Sequence, residues 1–227
     1  TGGDTILAGA GADIIYTYNG ADSITAGEGA DTIYAGLGAD TITLTEDTAA
    51  IDSIWIENVS GVRSTIDTVT GFTSVDKIYI DVSESGQFGT LHDTSGDAFD
   101  DDDQSAAVAT ANISAGDAAL TASKNIVSWD ADSSVLATGY AGSAAFITGL
   151  DGVAALTENT AQDFSEGDEI LSVFYNTSAS AYEVGILTIK GDEGLDEGDE
   201  EWTGLLRVDS TGITQAQVAA AITFTNA

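Results

Sequence analysis

Residues 2–43 carry a nine-residue repeat and read GGDTILAGAGADIIYTYNGADSITAGEGADTIYAGLGADTIT. Three columns stay in phase through five units: a glycine, an aspartate two residues later, and an isoleucine two residues after that. The aspartates are Asp4, Asp13, Asp22, Asp31 and Asp40, and the glycines before them are Gly2, Gly11, Gly20, Gly29 and Gly38. A second glycine column holds at Gly9, Gly27 and Gly36, with Tyr18 as its exception. Self-similarity at a fixed period is typical of coiled repeat architectures.

The residue types within each repeat predict a coil with one strand on each side. Residues around each isoleucine alternate inward and outward as a short strand, and the Gly-x-Gly-Ala-Asp segment predicts a tight turn, where glycine permits positive φ. Asp-Gly turns also occur in β-hairpins, but isolated turns would not stay in phase over five units. Two repeats complete one coil, so residues two repeats apart stack at one strand spacing, roughly 4.7–4.9 Å.

This stacking distance predicts a metal ion between aspartates of neighbouring coils. An ion midway between two layers lies about 2.4 Å from each, within the roughly 2.3–2.6 Å of calcium–oxygen contacts, whereas Mg²⁺ prefers about 2.0–2.1 Å. Along one edge we expect Asp4 to share an ion with Asp22, and Asp22 with Asp40. Along the other edge we expect Asp13 to share one with Asp31. Backbone carbonyls of both glycine columns complete the shells of about three ions.

Two places depart from the repeat. After Asp40 the period slips by three residues before Asp52 and Ile54 resume it, so an irregular last coil is expected to pair Asp52 with either Asp31 or Asp40. Around Tyr18 the turn begins Thr-Tyr-Asn, and we expect a weaker or missing ion there.

The units resemble the RTX (repeats-in-toxin) nonapeptide, Gly-Gly-x-Gly-x-Asp-x-U-x with U a large aliphatic residue. The resemblance implies a calcium-binding parallel β-roll, and it extends over about residues 1–81, because residues 66–81 are similar to segments that cap such rolls. A cap is needed because the last coil exposes isoleucine and a strand edge. The expected cover is Ile54, Trp55, Ile56, Val69, Phe72, Ile78 and Ile80. The resemblance also implies type I export from a bacterium, directed by an uncleaved C-terminal signal.

Beyond residue 81 the pattern changes to hydrophobic strands separated by polar turns. The predicted strands cover residues 125–129, 135–138, 169–176, 181–190, 204–208 and 222–225. The third and fourth form a hairpin around a turn at 177–180. One short helix is predicted around Phe146 and another after the capping box Thr214-x-x-Gln217.

The predicted fold class is therefore mainly β. A right-handed parallel β-roll is expected at residues 1–57 and its cap at 58–81. A mainly antiparallel β domain with one or two short helices is expected at 82–227.

Composition excludes several function classes. The 227 residues include 38 acidic and 5 basic side chains, a net charge of −33, whereas nucleic acids and anionic membranes both require a basic face. The absence of cysteine excludes disulfides and thiol catalysis. No stretch approaches the roughly 20 apolar residues of a membrane helix. The only histidine, His92, lies beside Asp93 without a nucleophile motif, so no enzyme is predicted.

These observations predict a calcium-binding structural module of a secreted bacterial surface protein similar to an S-layer subunit, in which calcium drives folding and assembly. The alternative is a calcium-dependent folding and export tail of an RTX adhesin or secreted enzyme whose activity lies upstream. The expected partners are calcium, further copies in a surface array, and a cell-surface glycan. Because Thr1 falls inside a repeat, we also expect this sequence to be part of a longer chain.

Overall fold

The computed structural model describes residues 2–56, 65–81, 110–113, 126–129, 142–150, 169–188 and 200–225. The first eight elements are β1 (Thr5–Ala10), β2 (Ile14–Tyr16), β3 (Ser23–Glu28), β4 (Thr32–Tyr34), β5 (Thr41–Thr43), β6 (Ser53–Ile56), β7 (Asp67–Thr70) and β8 (Lys77–Asp81). The later elements are β9 (Thr110–Ile113), β10 (Ile126–Trp129), α1 (Ser143–Leu150), β11 (Glu169–Asn176), β12 (Ala181–Thr188), β13 (Glu201–Asp209), α2 (Gln215–Ala221) and β14 (Ile222–Thr225).

The chain divides into two compact units. The first contains residues 1–89 together with 204–227, and the second contains residues 90–203. The boundary between the units falls within β13, so the last part of the chain belongs to the same unit as the repeats.

In the first unit, successive strands alternate between two parallel sheets. One sheet has the order β1-β3-β5-β7 and the other the order β2-β4-β6-β8. Ile6 lies opposite Ile24 in the first sheet, and Ile15 lies opposite Ile33 in the second. These pairs are two repeats apart, as the periodicity predicts. The parallel β-roll is therefore confirmed as the fold of the repeats.

Alternation along each short strand builds the interior of the roll. The central aliphatic residue of each strand points inward, and the most completely buried are Ile24, Ile33, Ile42, Ile54, Ile56, Ile78 and Ile80. Burial of one such side chain stabilises the fold by about 1.5–3 kcal/mol. Because each strand is so short, the stacked inward column supplies most of the apolar contact that holds neighbouring coils in register.

Residues 65–81, which resemble a roll cap, form a fourth coil. β7 continues the first sheet with Val69 opposite Ile42, and β8 continues the second with Ile78 opposite Ile54. One residue of the expected cover lies elsewhere: Trp55 is on the outer face of its sheet, because its two strand neighbours are the ones that point inward. The domain boundaries at residues 57 and 81 stay a prediction.

The C-terminal segment adds a fifth coil. Residues 206–208 of β13 pair in parallel with β7, and β14 pairs in parallel with β8, with Ile222 opposite Ile78. Between them α2 begins at the predicted capping box, in which the Thr214 side chain and the Gln217 side chain each accept from the other's backbone N–H. The two strands and the helix predicted here are thus present, but they extend the roll.

The second unit contains the predicted hairpin. β11 and β12 pair antiparallel with Asn176 opposite Ala181, whereas the β9–β10 and β10–β11 pairs are parallel. Phe146 of α1 stacks on Phe174 with ring centroids 4.4 Å apart, and Trp202 meets both rings edge-on. The strand predicted at residues 135–138 lies outside the described residues.

Candidate metal centre

The loops between the two sheets arrange aspartates into two columns, one along each edge of the roll. The first-edge column contains Asp4, Asp22, Asp40 and Asp67, and the second-edge column contains Asp13, Asp31, Asp52 and Asp76. All five predicted repeat aspartates lie in these columns, alternating between edges as expected. Of the two partners left open for Asp52, the structure places Asp31 next to it.

Within each column, one carboxylate oxygen accepts a hydrogen bond from the coil before it. On the first edge, Oδ1 of Asp22 accepts from the backbone N–H of Asp4 at 2.6 Å, and Oδ1 of Asp40 accepts from Asp22 at 2.7 Å. On the second edge, the corresponding distances are 2.8 Å from Asp13 to Asp31 and 2.9 Å from Asp31 to Asp52. These bonds fix the carboxylates in a common orientation. The second oxygen, Oδ2, takes no part in them.

The second oxygen of several of these carboxylates is buried without any hydrogen-bond partner. This holds for Oδ2 of Asp13, Asp22, Asp31 and Asp52. The side chains of Asp31 and Asp52 are each only 1% exposed, and that of Asp22 is 2% exposed. An unpaired buried carboxylate oxygen is costly unless a proton or a cation compensates it. The columns therefore fit a divalent cation, for which carboxylate and carbonyl oxygens are the preferred ligands.

Electrostatics at the second edge also favours a compensating cation. The pKa of the Asp52 carboxyl is raised from 3.8 to about 7, chiefly by burial and also by the neighbouring charges of Asp76, Glu46 and Asp31, against the lowering effect of the hydrogen bond from the Asp31 N–H. The pKa of Asp31 is raised for the same reasons, burial first. Without a cation, these groups resist ionisation in the folded roll.

Glycine is required in the loops because neighbouring coils stack closely. A Cβ placed on Gly27 would collide with the carbonyl oxygen of Gly9 one coil earlier, and one on Gly38 would collide with that of Gly20. Both residues also have positive φ, 103° and 150°. Seven of the eight predicted loop glycines adopt positive φ, Gly2 being the exception. The resulting loops bring backbone carbonyls of successive coils close together beside the aspartates.

The carbonyls are needed, because side chains alone do not form a metal cage. Among the residues that the structure describes, no three acidic, histidine or cysteine side chains converge as a metal-binding group. Calcium commonly takes 6–8 oxygen ligands, including backbone carbonyls. A site here would combine aspartates from two coils with loop carbonyls.

The second-edge column ends in a carboxylate that is fully satisfied by the protein. Oδ1 of Asp76 accepts from the backbone N–H of Asp52 at 3.0 Å, and Oδ2 accepts from the N–H and hydroxyl of Thr73 at 2.7 and 3.0 Å. Asp76 therefore has no buried oxygen left over for a cation, in contrast to Asp31 and Asp52.

Sequence reasoning missed Asp67 and Asp76 as members of the columns. Their distances from the preceding aspartates are 27 and 24 residues, so the search for an eighteen-residue step passes over them. A shorter signal identifies both: each begins the triplet Asp-x-(Ile/Val) that every repeat contains. In that triplet the aspartate ends the loop and the aliphatic residue enters the core.

Comparison with known proteins agrees with this geometry. Residues 1–33 match the family of the RTX calcium-binding nonapeptide repeat, described as four copies. No curated protein and no solved structure matches the chain. The N-terminal segment thus consists of RTX repeats, a calcium-binding and structural element typical of secreted proteins. Within the described part of the chain, no helix is long and apolar enough to cross a membrane.

Proposed function

We propose that the roll binds calcium between aspartates of successive coils, with Asp4 and Asp22, Asp22 and Asp40, Asp13 and Asp31, and Asp31 and Asp52 as the carboxylate pairs. The observation that carries this proposal is the set of buried Oδ2 atoms without partners, on Asp22 of the first edge and on Asp13, Asp31 and Asp52 of the second. Carbonyls of the column glycines complete each shell. The stacked carboxylates, held one coil apart, bind the ion in pairs.

Calcium is then the switch for folding. In calcium-poor cytosol the stacked aspartates repel one another, and the chain carries an unrelieved net charge of −33. The unfolded repeats are suited to export through a channel. Outside the cell, the free energy of calcium binding becomes free energy of folding, and extracellular calcium modules bind at roughly 10⁻⁴–10⁻³ M.

Circular dichroism with metal exchange tests this function. The full chain in EGTA should lose much of its β signal, and millimolar Ca²⁺ should restore it, whereas Mg²⁺ should restore little, because Mg²⁺ prefers shorter bonds and rigid octahedral geometry. Isothermal titration should show several calcium ions bound. Equal recovery with the two metals would contradict the ion-size argument, and a chain that folds fully in EGTA would contradict the switch.

The folded module is proposed to act at the bacterial surface as an S-layer-like structural subunit without catalytic activity. The outer faces of β1 and β2 offer an interface, because Leu7, Ile14 and Tyr16 on these strands are exposed. Exposed apolar side chains favour association with another chain. Calcium-dependent growth of sheets or filaments, followed by light scattering, is the expected result.

A second candidate function is a folding and export tail for activity located upstream. It is favoured by the match to RTX repeats, which is confined to residues 1–33. This reading predicts a monodisperse monomer after calcium addition, as measured by sedimentation velocity. Assembly under the same conditions would exclude it in favour of the surface-array role.

A further inference from the structure

A column of aromatic rings runs along the outer face of the second sheet. Its members occupy the same outward position on successive strands, and they are Tyr16, Tyr34, Trp55 and Tyr79. Neighbouring ring centroids lie 4.5, 5.4 and 4.6 Å apart, with interplanar angles of 7°, 25° and 15°. The strand spacing of about 4.7–4.9 Å imposes this stacking, because each ring stands above the ring one coil away.

The composition of the chain makes these rings the preferred target of an oxidant. The sequence contains no cysteine and no methionine, the two side chains that oxidants commonly attack. Of the side chains that remain, tyrosine and tryptophan lose a single electron most readily. Because the column brings four such rings into contact, an oxidised ring can take an electron from the next one. RTX repeats are typical of secreted proteins, which work in oxidising surroundings.

One pair in the column has the geometry for coupling between two oxidised rings. Tyr16 and Tyr34 lie opposite each other in β2 and β4. Their rings are the closest and the most nearly parallel of the tyrosine pairs that the structure describes. Tyr16 is 52% exposed, so its phenolic proton can leave to water and its ring has room to turn towards its partner.

We propose that Tyr16 and Tyr34 form a dityrosine cross-link when the folded roll meets a one-electron oxidant. Two equivalents of the oxidant each remove one electron, and each phenol releases its proton to water. The two tyrosyl radicals form one carbon–carbon bond between the ring carbons next to the hydroxyl groups. The hydrogen on each of these carbons then moves to the phenolic oxygen, which restores both aromatic rings. The product has two hydrogen atoms fewer than the separate side chains.

The bond would join two neighbouring coils covalently in a chain that has no cysteine for a disulfide. Because the pairing of the rings requires only the folded roll, the inference goes beyond calcium binding and does not depend on which ion occupies the aspartate columns.

Peptide mapping of the oxidised full chain tests the cross-link. The chain, folded in calcium, is illuminated with a ruthenium photosensitiser and persulfate, which together supply a one-electron oxidant. A glutamate-specific protease then cuts after Glu28, which lies between the two tyrosines. The monomer should show dityrosine fluorescence and a mass lower by two hydrogen atoms, and the peptides ending at Glu28 and Glu46 should stay joined. A monomer without dityrosine, or with dityrosine only between chains, would overturn the inference.

Two variants separate stacking from simple exposure. Tyr16→Phe keeps a ring in the column but removes the phenol, so it should lose most of the joined peptide. Tyr18→Phe is the matched control, because Tyr18 lies on the same peptide and is 73% exposed, but its ring centroid is 6.4 Å from that of Tyr16. This variant should keep the wild-type yield. The reverse result would show that exposure selects the residue that couples.

Unfolding the wild-type chain provides the last comparison. In concentrated urea the two rings are no longer held together, so the yield of joined peptide should fall well below that of the folded chain. An equal yield from the folded and unfolded chains would contradict the role of the ring column.

Discussion

The regular coils at residues 2–43 and the irregular coils at residues 44–81 reach the same strand register through different loops. In the regular part every step along the aspartate columns is 18 residues, whereas the later steps are 21, 24 and 27 residues. The inward residues nevertheless stack one above another, with Ile42 opposite Val69 and Ile54 opposite Ile78. Register is therefore set by the aspartate and the aliphatic residue of each triplet, and the loop determines whether a cation can be held.

The largest expected effect concerns close stacking of the regular loops. Gly9 and Gly27 have nearly the same φ, 102° and 103°, but a Cβ on Gly27 meets the Gly9 carbonyl whereas a Cβ on Gly9 meets nothing within 4 Å. Gly9→Ala should cost about 1–2 kcal/mol from backbone conformation alone. Gly27→Ala should cost a further ~1–3 kcal/mol from overpacking. Urea unfolding in saturating calcium measures both.

Equal losses of unfolding free energy in these two variants would show that the backbone conformation alone demands glycine. Coil-to-coil contact would then no longer explain why the regular loops, and not the later ones, are so rich in this residue.

The next effect distinguishes shared from terminal aspartates. In the proposed pairing Asp22 contributes to two ions and Asp4 to one, and Asp22 is buried while Asp4 is exposed. Asp22→Ala should therefore lose two bound calcium ions where Asp4→Ala loses one, with a correspondingly greater loss of β signal at limiting calcium. Stoichiometry by equilibrium dialysis decides the matter, and matching losses would refute the pairing scheme.

The regular part of this architecture could be read from sequence because its period is local and unbroken. The eighteen-residue aspartate stacking, the inward isoleucines and the edge on which each aspartate lies all follow from that period. The positions of Asp67 and Asp76 in the columns were not predicted, because loops of variable length obscure the period. Both residues nevertheless keep the Asp-x-aliphatic triplet. Loop insertions change spacing at little cost to the core.

The fifth coil was not predicted from the sequence, for a different reason. Its strands were predicted at residues 204–208 and 222–225, but nothing local identifies their partner strands. The residue opposite Asp67 is Leu206, so the aspartate that marks every earlier coil is replaced by an apolar residue. Pairing across more than a hundred residues is decided by packing and sheet edges that no short pattern encodes.

Acidity should affect the calcium-free and calcium-bound rolls in opposite directions. In the calcium-free fold the pKa of Asp52 is raised from 3.8 to about 7, so the folded state binds a proton more tightly than the unfolded chain does. Its contribution to stability is greatest below about pH 4 and is lost as pH rises through about 7. In EGTA the β signal should be stronger at pH 5 than at pH 8.

With calcium the order reverses, because the ion requires ionised ligands and competes with the proton. Calcium affinity should fall as the pH is lowered from 8 to 5. Circular dichroism over this pH range, once in EGTA and once in calcium, checks whether stability changes in opposite directions. A calcium-free β signal that is flat with pH would show that Asp52 is ionised in the fold.

The smallest effect concerns Tyr18, the single side chain in the second glycine column. Tyr18 has φ of 65° and is 73% exposed, with one aromatic neighbour, Tyr16, at a centroid distance of 6.4 Å. A left-handed backbone costs a non-glycine residue about 1–2 kcal/mol, and glycine removes that cost. Against this gain, the variant loses a weak ring contact, and the greater entropy of its unfolded chain lowers stability. Tyr18→Gly should therefore raise the free energy of unfolding by about 0.5 kcal/mol. If urea unfolding in saturating calcium instead shows a clear loss of unfolding free energy, the Tyr16–Tyr18 contact contributes more than the backbone conformation costs. Glycine at this column position would then not be what stabilises the other loops.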